Sequence, residues 1–352
     1  MRERVLSTRE LNRALLARQL LLERSDLKLP RALEAVGGLQ TQYAPSGYIG
    51  LWSRLRNFRR SSLTDSLVNR EAVQGTLMRS TIHTVSAADY PVLLAGVRSG
   101  RREWWLRVVR HQVEGLDMDA VTAILRERLK QGPAKTAELR TLLASHGIPA
   151  IAWTGAGLWL EMVRVPPSGT WERRLADMYG LAEDWVQMRR VTEPDGTEHL
   201  VRRYLGGFGP APLADIAGWA GIQPAKIQPA LERMRLRRFR DTAGRVLFDL
   251  PRAPLPDADA PAPVRFLGTF EALTMIHARR TEVMPEQYRP IVFNTKTPHS
   301  MPVFLIDGAV AGTWRFEGGR VQLKAFEALP RSVRREVDDE AKALAAFHVR
   351  AS

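Results

Sequence analysis

The sequence predicts an α+β protein with three similar helical units followed by a β-rich domain. Each unit shows helical patterns, a tight turn and then short strand patterns, an order typical of a winged helix. After a proline-rich stretch, the pattern changes to strands joined by Asp-Gly and Gly-Gly turns. We therefore expect three tandem winged-helix motifs at 1–117, 118–204 and 205–252, a linker at 253–263, and a β-rich domain with a terminal helix at 264–352.

The first unit begins with a strong helix signal. Ser7 and Glu10 have the spacing of a capping box, and leucines follow at helical intervals. A second helix is expected from near Pro30 to Val36, where two glycines end it. Beyond it, the pattern predicts helices at 46–57 and 62–69 and a strand from Thr76 to Val85.

The second and third units repeat this order of elements. A helix over Ala137–Ser145 and a turn at Pro166–Gly169 mark the second unit. In the third unit, the helix Ala214–Ala220 and another helix from Pro224 precede a hairpin around Asp241–Gly244.

Three strands and a helix are predicted for the C-terminal domain. Asp307-Gly308 and Gly318-Gly319 are hairpin turns that connect the strands. The strands are expected at Val303–Ile306, Ala309–Phe316 and Arg320–Phe326, and the terminal helix begins at Pro330.

The composition favours a polyanionic partner. The 352 residues hold 52 Lys and Arg against 38 Asp and Glu, a net charge of +14, which suggests nucleic acid first and an anionic membrane second. Cysteine is absent, which excludes disulfides, thiolate zinc sites and cysteine nucleophiles. The seven histidines lack metal-binding spacing, so we expect no metal and no cofactor. No apolar run approaches the roughly 18 residues of a membrane span, so neither membrane insertion nor export is expected.

Two glutamines after the glycine pair Gly37-Gly38 are the main candidates for chemistry. In an extended segment, residues i and i+2 point to the same side, so Gln40 and Gln42 could aim at one point. The glycines end the preceding helix, and Pro45 disfavours helical geometry at Ala44. The competing interpretation is structural, with two buried amides capping the end of that helix. Sequence chemistry alone leaves both interpretations open.

Two further groups of residues could contact DNA. Arg79, Thr81 and His83 alternate on the predicted strand and would share a face, where they could meet phosphate or sugar. His83 could equally be a half-buried histidine with no functional role. In the C-terminal hairpin, the apolar residues around Trp314 suit a core. The opposite face, which could meet either DNA or solvent, carries Thr313, Arg315, Gln322 and Lys324.

Several short segments together carry a family resemblance. They are Gly38–Gln42, Gly50–Leu55, Met78–His83, Arg202–Leu205 with Phe208–Pro210, Gly218–Gly221, and Asp307–Gly308 with Gly312–Arg315. In this order, and over essentially the whole chain, they resemble the AlkZ-like (YcaQ-related) winged-helix DNA glycosylases. The resemblance implies a C-shaped arrangement of the three winged helices and a β-barrel near the C-terminus. It also implies excision of N7-alkylated purines, including bulky adducts and interstrand crosslinks made by alkylating antibiotics.

The resemblance also assigns site residues. The family's catalytic motif places two glutamines around an aliphatic residue, which implies catalysis by Gln40 and Gln42; Thr41 departs from the aliphatic pattern. Arg54, in the second segment, is expected to contact DNA. Glu271 occupies a position where Asp is expected, and we assign it no role.

The expected substrate explains why two neutral amides could suffice. A purine alkylated at N7 carries a positive charge, so its glycosidic bond is weakened and the base leaves neutral. Glutamine does not titrate near neutral pH, so the pair would position water rather than take its proton. We predict a monofunctional, cofactor-free DNA glycosylase that acts as a monomer on double-stranded DNA with alkylated bases. We expect it in the bacterial cytoplasm, associated with the nucleoid, in alkylation repair or antibiotic self-resistance. The alternative is a winged-helix transcriptional regulator without enzymatic activity.

Overall fold

The computed structural model describes residues 3–294 and 299–349. The α-helices of this part of the chain are α1 (Thr8–Arg18), α2 (Leu29–Val36), α3 (Ala44–Arg54), α4 (Arg60–Val68), α5 (Tyr90–Val109), α6 (Met118–Leu129), α7 (Thr136–Ser145), α8 (Ala152–Trp159), α9 (Glu193–Phe208), α10 (Leu213–Ala220), α11 (Pro224–Arg233), α12 (Ala272–Met275), α13 (Ala278–Thr281), α14 (Arg289–Val292) and α15 (Arg331–Val349). Short 3₁₀ helices lie at Met78–Ser80, Arg110–Gln112, Ala182–Asp184 and Glu286–Tyr288.

The strands of the same part of the chain are β1 (Val5–Leu6), β2 (Leu39–Gln40), β3 (Ala72–Thr76), β4 (Ile82–Ser86), β5 (Ala134–Lys135), β6 (Met162–Arg164), β7 (Met178–Leu181), β8 (Arg237–Asp241), β9 (Val246–Asp249), β10 (Arg265–Leu267), β11 (Phe293–Asn294), β12 (His299–Ser300), β13 (Val303–Ile306), β14 (Ala309–Glu317) and β15 (Arg320–Ala325).

A six-stranded antiparallel sheet organises the N-terminal half of the chain. Its strand order is β2-β4-β3-β6-β7-β5. Gly75 of β3 pairs with Val163 of β6, so strands from the predicted first and second units share this sheet. Backbone hydrogen bonds therefore connect these two units directly.

A three-stranded sheet joins the N-terminus to the predicted third unit. β8 and β9 form the hairpin expected around Asp241–Gly244, and β1 adds to β8 in parallel. Helices α9, α10 and α11 precede this hairpin in sequence. In the core between α9 and α10, the ring of Tyr204 lies 5.4 Å from the rings of both Phe208 and Trp219. This packing fixes the C-terminal end of α10, which contacts the candidate site.

The C-terminal strands form an open sheet, so the expected β-barrel is wrong for the described residues. The order is β10-β13-β14-β15, which leaves β10 and β15 as edges. The three predicted strands are confirmed within one residue at each end. The sheet does not close, because β10 packs against α3 and α15 instead of pairing with β15.

The proline-rich stretch at 253–263 contains no helix or strand, and α1 holds it in place. Arg18 donates to the carbonyl oxygen of Pro254 at 2.8 Å, and Arg13 donates to that of Ala260 at 2.6 Å. The proline-rich stretch therefore lies against the N-terminal helix α1. Among the described residues, no helix is both long and apolar enough to cross a membrane.

Candidate active site

The two candidate glutamines follow a sharp turn at the end of α2. Gly37 and Gly38 adopt φ values of +75° and +78°, which favour glycine. A Cβ at Gly38 would lie 2.7 Å from Cγ1 of Val85, so a larger residue would clash with β4. The chain then runs along β4, with Gln40 paired with His83 in register. The glycine pair thus ends the helix and starts an extended segment, as predicted.

The side chain of Thr41 points away from the glutamines. It is fully buried, and its hydroxyl lies 3.0 Å from that of Thr84. Gln40 is half-buried, whereas Gln42 is exposed. The residue that departs from the aliphatic pattern therefore contacts the core rather than the surface that carries Gln42.

Both glutamine side chains accept hydrogen bonds from neighbouring parts of the protein. Arg79 Nη2 donates to Oε1 of Gln40 at 2.6 Å, and the backbone N–H of Ile82 donates to Oε1 of Gln42 at 3.0 Å. Neither amide caps α2, because Gly37 ends that helix through its own N–H. The structural interpretation of two buried amides that cap α2 is therefore wrong, although both amide oxygens accept hydrogen bonds within the protein.

The predicted strand from Thr76 to Val85 is wrong in its middle. Strands β3 and β4 are separated by a turn in which Arg79 and Ser80 adopt left-handed φ values of +54° and +55°. Thr81 closes this turn, donating from its hydroxyl to the carbonyl oxygen of Met78 at 3.0 Å. Arg79, Thr81 and His83 therefore do not alternate along a single strand. Arg79 instead reaches back to Gln40.

His83 lies in the interior and is only 2% exposed. Its Nδ1 lies 3.1 Å from the carbonyl oxygen of Thr81, so Nδ1 carries the hydrogen. Burial, and secondarily the charge of Arg79, lower the pKa of His83 to about 3. The imidazole is therefore neutral at physiological pH and cannot bind phosphate as a cation.

Arg54 is fully buried and is not exposed to DNA in this structure. Its Nη2 lies 3.0 Å from Oε1 of Glu271 and 3.0 Å from Oε1 of Gln19. The sequence offered no signal for this cluster, because Arg54 and Glu271 are 217 positions apart. Glu271, which had no role in the sequence-based interpretation, is therefore the partner of a buried cation.

A small cavity of about 10 Å³ brings these residues together at Gln40. Gln19, Gln40 and Glu271 line it, together with Thr269 and Phe208. This volume is roughly that needed for a single water molecule. The side chains of two glutamines and one glutamate thus line a space that can hold one water.

The C-terminal hairpin lies close to the glutamine segment. Arg315 pairs with Gln322, and Thr313 with Lys324, across β14 and β15. Three of these four side chains are exposed as expected, but Thr313 is buried at 6% exposure. Of the four predicted residues, the exposed polar face therefore carries Arg315, Gln322 and Lys324, and Arg315 also pairs with the exposed Glu317 at 3.0 Å. Arg315 also bonds to Oε1 of Gln322 at 2.7 Å, which orients both side chains.

A cavity of about 240 Å³ separates this hairpin from the glutamine segment. Tyr43, which directly follows Gln42, lines one side, and Trp314 and Phe316 line the other. Ser46 and Thr269 border this cavity and also the small one at Gln40, and their hydroxyls lie 2.8 Å apart.

A larger cavity of about 620 Å³ lies elsewhere, between the α3–α4 connection and α15. Trp52, Phe58 and Phe347 line it, and none of the predicted site residues does. The largest of these three cavities therefore lies apart from the candidate site.

Comparison with known proteins identifies the class of this enzyme. Residues 33–347 match the sequence model of a family of DNA glycosylases. The chain belongs to this family, described as DNA glycosylase AlkZ-like. It is therefore an enzyme that acts on DNA, and the alternative of a regulator without enzymatic activity is rejected. No curated protein matches the sequence.

The fold is similar to that of a solved structure, the DNA glycosylase AlkZ of Streptomyces sahachiroi. The TM-score is 0.76, with 19% sequence identity, and the alignment covers 98% of this chain and 97% of that chain. At this identity the likeness shows the fold alone, so the roles of individual residues rest on the contacts described above.

Proposed function

We propose that this DNA glycosylase hydrolyses the N-glycosidic bond of N7-alkylated purines, with Gln40 and Gln42 beside the reacting sugar. One observation carries the proposal: both amide oxygens accept bonds from fixed donors, while the NH2 groups have no protein partner among the described residues. Gln42 is exposed and Gln40 half-buried, so a ligand can reach them. Neutral amides held in this way suit a reaction that needs orientation rather than proton transfer.

The substrate's charge removes the need for a strong acid at this site. Water attacks the anomeric carbon as the bond to N9 of the purine breaks. The bonding electrons pass to the base and neutralise the charge that alkylation placed on it. The water keeps its oxygen on the sugar and releases a proton to solvent, leaving an abasic site. The glutamines hold the water and the sugar in place during this step.

The exposed face of the C-terminal hairpin supplies the proposed DNA contact. Arg315 and Lys324 carry positive charge there, and Gln322 lies between them. Cationic side chains on an exposed strand face bind phosphate irrespective of base sequence. Arg315 and Tyr43 both border the cavity of about 240 Å³, so one DNA duplex could contact both this face and Gln42.

The same cavity supports bulky adducts as substrates. Tyr43, Trp314 and Phe316 contribute aromatic surface to its walls, and its volume of about 240 Å³ is slightly below the range typical of drug-sized ligands. A planar ring system on N7 could pack against these aromatic side chains. Replacing Tyr43 by Ala should slow excision of an N7-(naphthylmethyl)guanine and leave that of N7-methylguanine unchanged. If Tyr43→Ala changes the rates on both substrates by the same factor, the cavity does not bind the bulky group.

The arrangement of units is also part of the proposal. Three winged-helix motifs at 1–117, 118–204 and 205–252 would line a C-shaped channel, followed by the linker at 253–263 and the domain at 264–352. The order α10, α11, β8, β9 supports the third motif. We propose that the protein acts as a monomer in the bacterial cytoplasm, in alkylation repair or in resistance to crosslinking antibiotics.

The direct test is incubation with duplex DNA carrying N7-methylguanine, followed by alkali to cut abasic sites. We expect strand cleavage by the wild type and a roughly 100- to 1,000-fold slower reaction by Gln42→Ala, with DNA affinity retained. Gln131→Ala, which changes an exposed glutamine after α6, is the matched control and should behave as wild type. Full activity of Gln42→Ala would exclude the glutamine mechanism. No cleavage of methylated or crosslinked DNA by wild type would exclude the substrate class.

A further inference from the structure

The orientation of the two carboxamides follows from the atoms that they face. A guanidinium N–H and a backbone N–H can only donate, so each requires a carbonyl oxygen opposite it. Arg79 faces Oε1 of Gln40 at 2.6 Å, and the N–H of Ile82 faces Oε1 of Gln42 at 3.0 Å. Both oxygens are therefore turned toward the protein. Both NH2 groups are turned away and can bind a ligand.

Arg79 is held in place by the end of α10. Its Nη1 donates to the carbonyl oxygen of Trp219 at 2.7 Å. Arg101 secures the same turn, donating to Ser80 Oγ at 2.8 Å and to the carbonyl oxygen of Gly221 at 3.0 Å. The packing is so close that a Cβ at Gly221 would lie 2.8 Å from Cα of Arg79. The protein itself therefore sets the position of Arg79 before DNA binds.

The charge of Arg79 is balanced without a carboxylate. Its hydrogen-bond partners are a carbonyl and an amide oxygen, and within residues 3–294 and 299–349 no Asp or Glu forms an ion pair with it. The partial negative charge at the C-terminal end of α10 and the oxygen of Gln40 take that place. Burial lowers the pKa of Arg79 to about 10, so the group stays protonated at neutral pH. A charge-assisted bond polarises the amide and strengthens its NH2 group as a donor.

We propose that Arg79 is a positioning residue of the glycosylase site. It binds the carbonyl oxygen of Gln40 and thereby presents the NH2 group, not the oxygen, to the target nucleotide and the attacking water. This inference rests on the proposed function, because it requires Gln40 to lie at the reacting sugar. It replaces the sequence-based expectation that Arg79 binds DNA directly.

A double-mutant cycle separates this role from a structural one. Arg79→Asn suits the left-handed backbone, because Asn tolerates positive φ. It should slow single-turnover excision of N7-methylguanine roughly 100-fold. The Kd for DNA should change by less than about twofold. In a Gln40→Ala background the same substitution should cause no further loss, because no amide remains to be placed. Arg79→Lys, whose ammonium can still donate to Oε1, should restore part of the rate.

The outcomes distinguish the inference from the function on which it rests. Equal rate losses in both backgrounds, or a loss mainly of DNA affinity, would overturn the role of Arg79. If the wild-type protein releases no alkylated base, the proposed function itself is wrong. If Gln40→Ala is slow but Arg79→Asn is not, only the inference fails. Should Arg79→Asn not fold, Arg79→Lys in both backgrounds decides the question by the same comparison.

Discussion

Arg54 and Arg79 each bind a side chain that lines the small cavity at Gln40, but their partners differ in charge. Arg54 is fully buried and lies 3.0 Å from the carboxylate of Glu271. Arg79 is partly buried and binds the neutral amide of Gln40 and a helix-end carbonyl. A buried ion pair connects distant parts of a fold and becomes costly when one partner is removed. By contrast, the bond from Arg79 orients and polarises the amide of Gln40, an arrangement that suits a ligand-binding or catalytic site.

Substitution of each arginine should show that Arg54 contributes more to the stability of the fold than Arg79 does. Arg54→Met leaves the carboxylate of Glu271 buried and unpaired, which should lower the free energy of unfolding by about 3–5 kcal/mol. Arg79→Asn loses only hydrogen bonds and should cost about 1–2 kcal/mol. Denaturant unfolding at pH 7 measures both.

The control is the double variant Arg54→Met with Glu271→Gln, which removes both charges and should recover most of the lost stability. Wild-type stability of Arg54→Met alone would show that the ion pair does not hold the fold.

Acidification should weaken the fold through His83, whose pKa the charge of Arg79 helps to lower. Its folded pKa of about 3 lies below its ordinary value of 6.5. Between these values the unfolded chain takes up a proton that the folded protein does not. The contribution of His83 to stability is therefore complete above about pH 6.5 and is lost, by at most about 1.4 kcal/mol per pH unit, as the pH drops toward 3.

His83→Gln should flatten this slope, as measured by denaturant unfolding between pH 7 and 5. Arg79→Asn should also reduce it, because the charge of Arg79 contributes to the low pKa of His83. An unchanged slope in His83→Gln would assign the acid sensitivity to other groups.

The exposed cations of the C-terminal hairpin should affect the salt dependence of DNA binding, whereas Arg54 and Arg79 at the small cavity should not. Arg315→Ala with Lys324→Ala should reduce the salt dependence of DNA binding by up to about two ion contacts. Arg79→Asn should leave that dependence unchanged, because Arg79 binds within the protein. Binding measured from about 50 to 200 mM salt tests both expectations. If the salt dependence falls only in Arg79→Asn, then Arg79 rather than the hairpin contacts the DNA phosphates.

Local signals predicted much of this molecule. The capping box at Ser7 and Glu10 is present, and the hairpin turns at Asp307-Gly308 and Gly318-Gly319 join the expected strands. Gly37 and Gly38 end α2 as expected and lead into an extended segment at Gln40. These features depend on residues a few positions apart, whose conformational preferences the sequence displays directly.

Features that depend on distant contacts could not be predicted. Nothing in the sequence near Arg54 indicates Glu271, and nothing near Gly75 indicates its pairing with Val163. The β-forming residues around Arg79 concealed a left-handed turn, which α10 and Arg101 stabilise from elsewhere in the chain. The candidate site combines both kinds of feature. The extended segment that carries the glutamines was predictable, whereas the groups that bind their amide oxygens were not.

The central claim is that Gln40 acts through its NH2 group rather than through its oxygen, and Gln40→Glu tests it most directly. The new carboxylate can pair with Arg79, so the fold should be kept or stabilised, but the NH2 donor is lost. We predict that single-turnover excision of N7-methylguanine falls as far as in Gln40→Ala, roughly 100- to 1,000-fold. A rate equal to or above that of wild type would show instead that an oxygen at this position does the work, and would contradict the account.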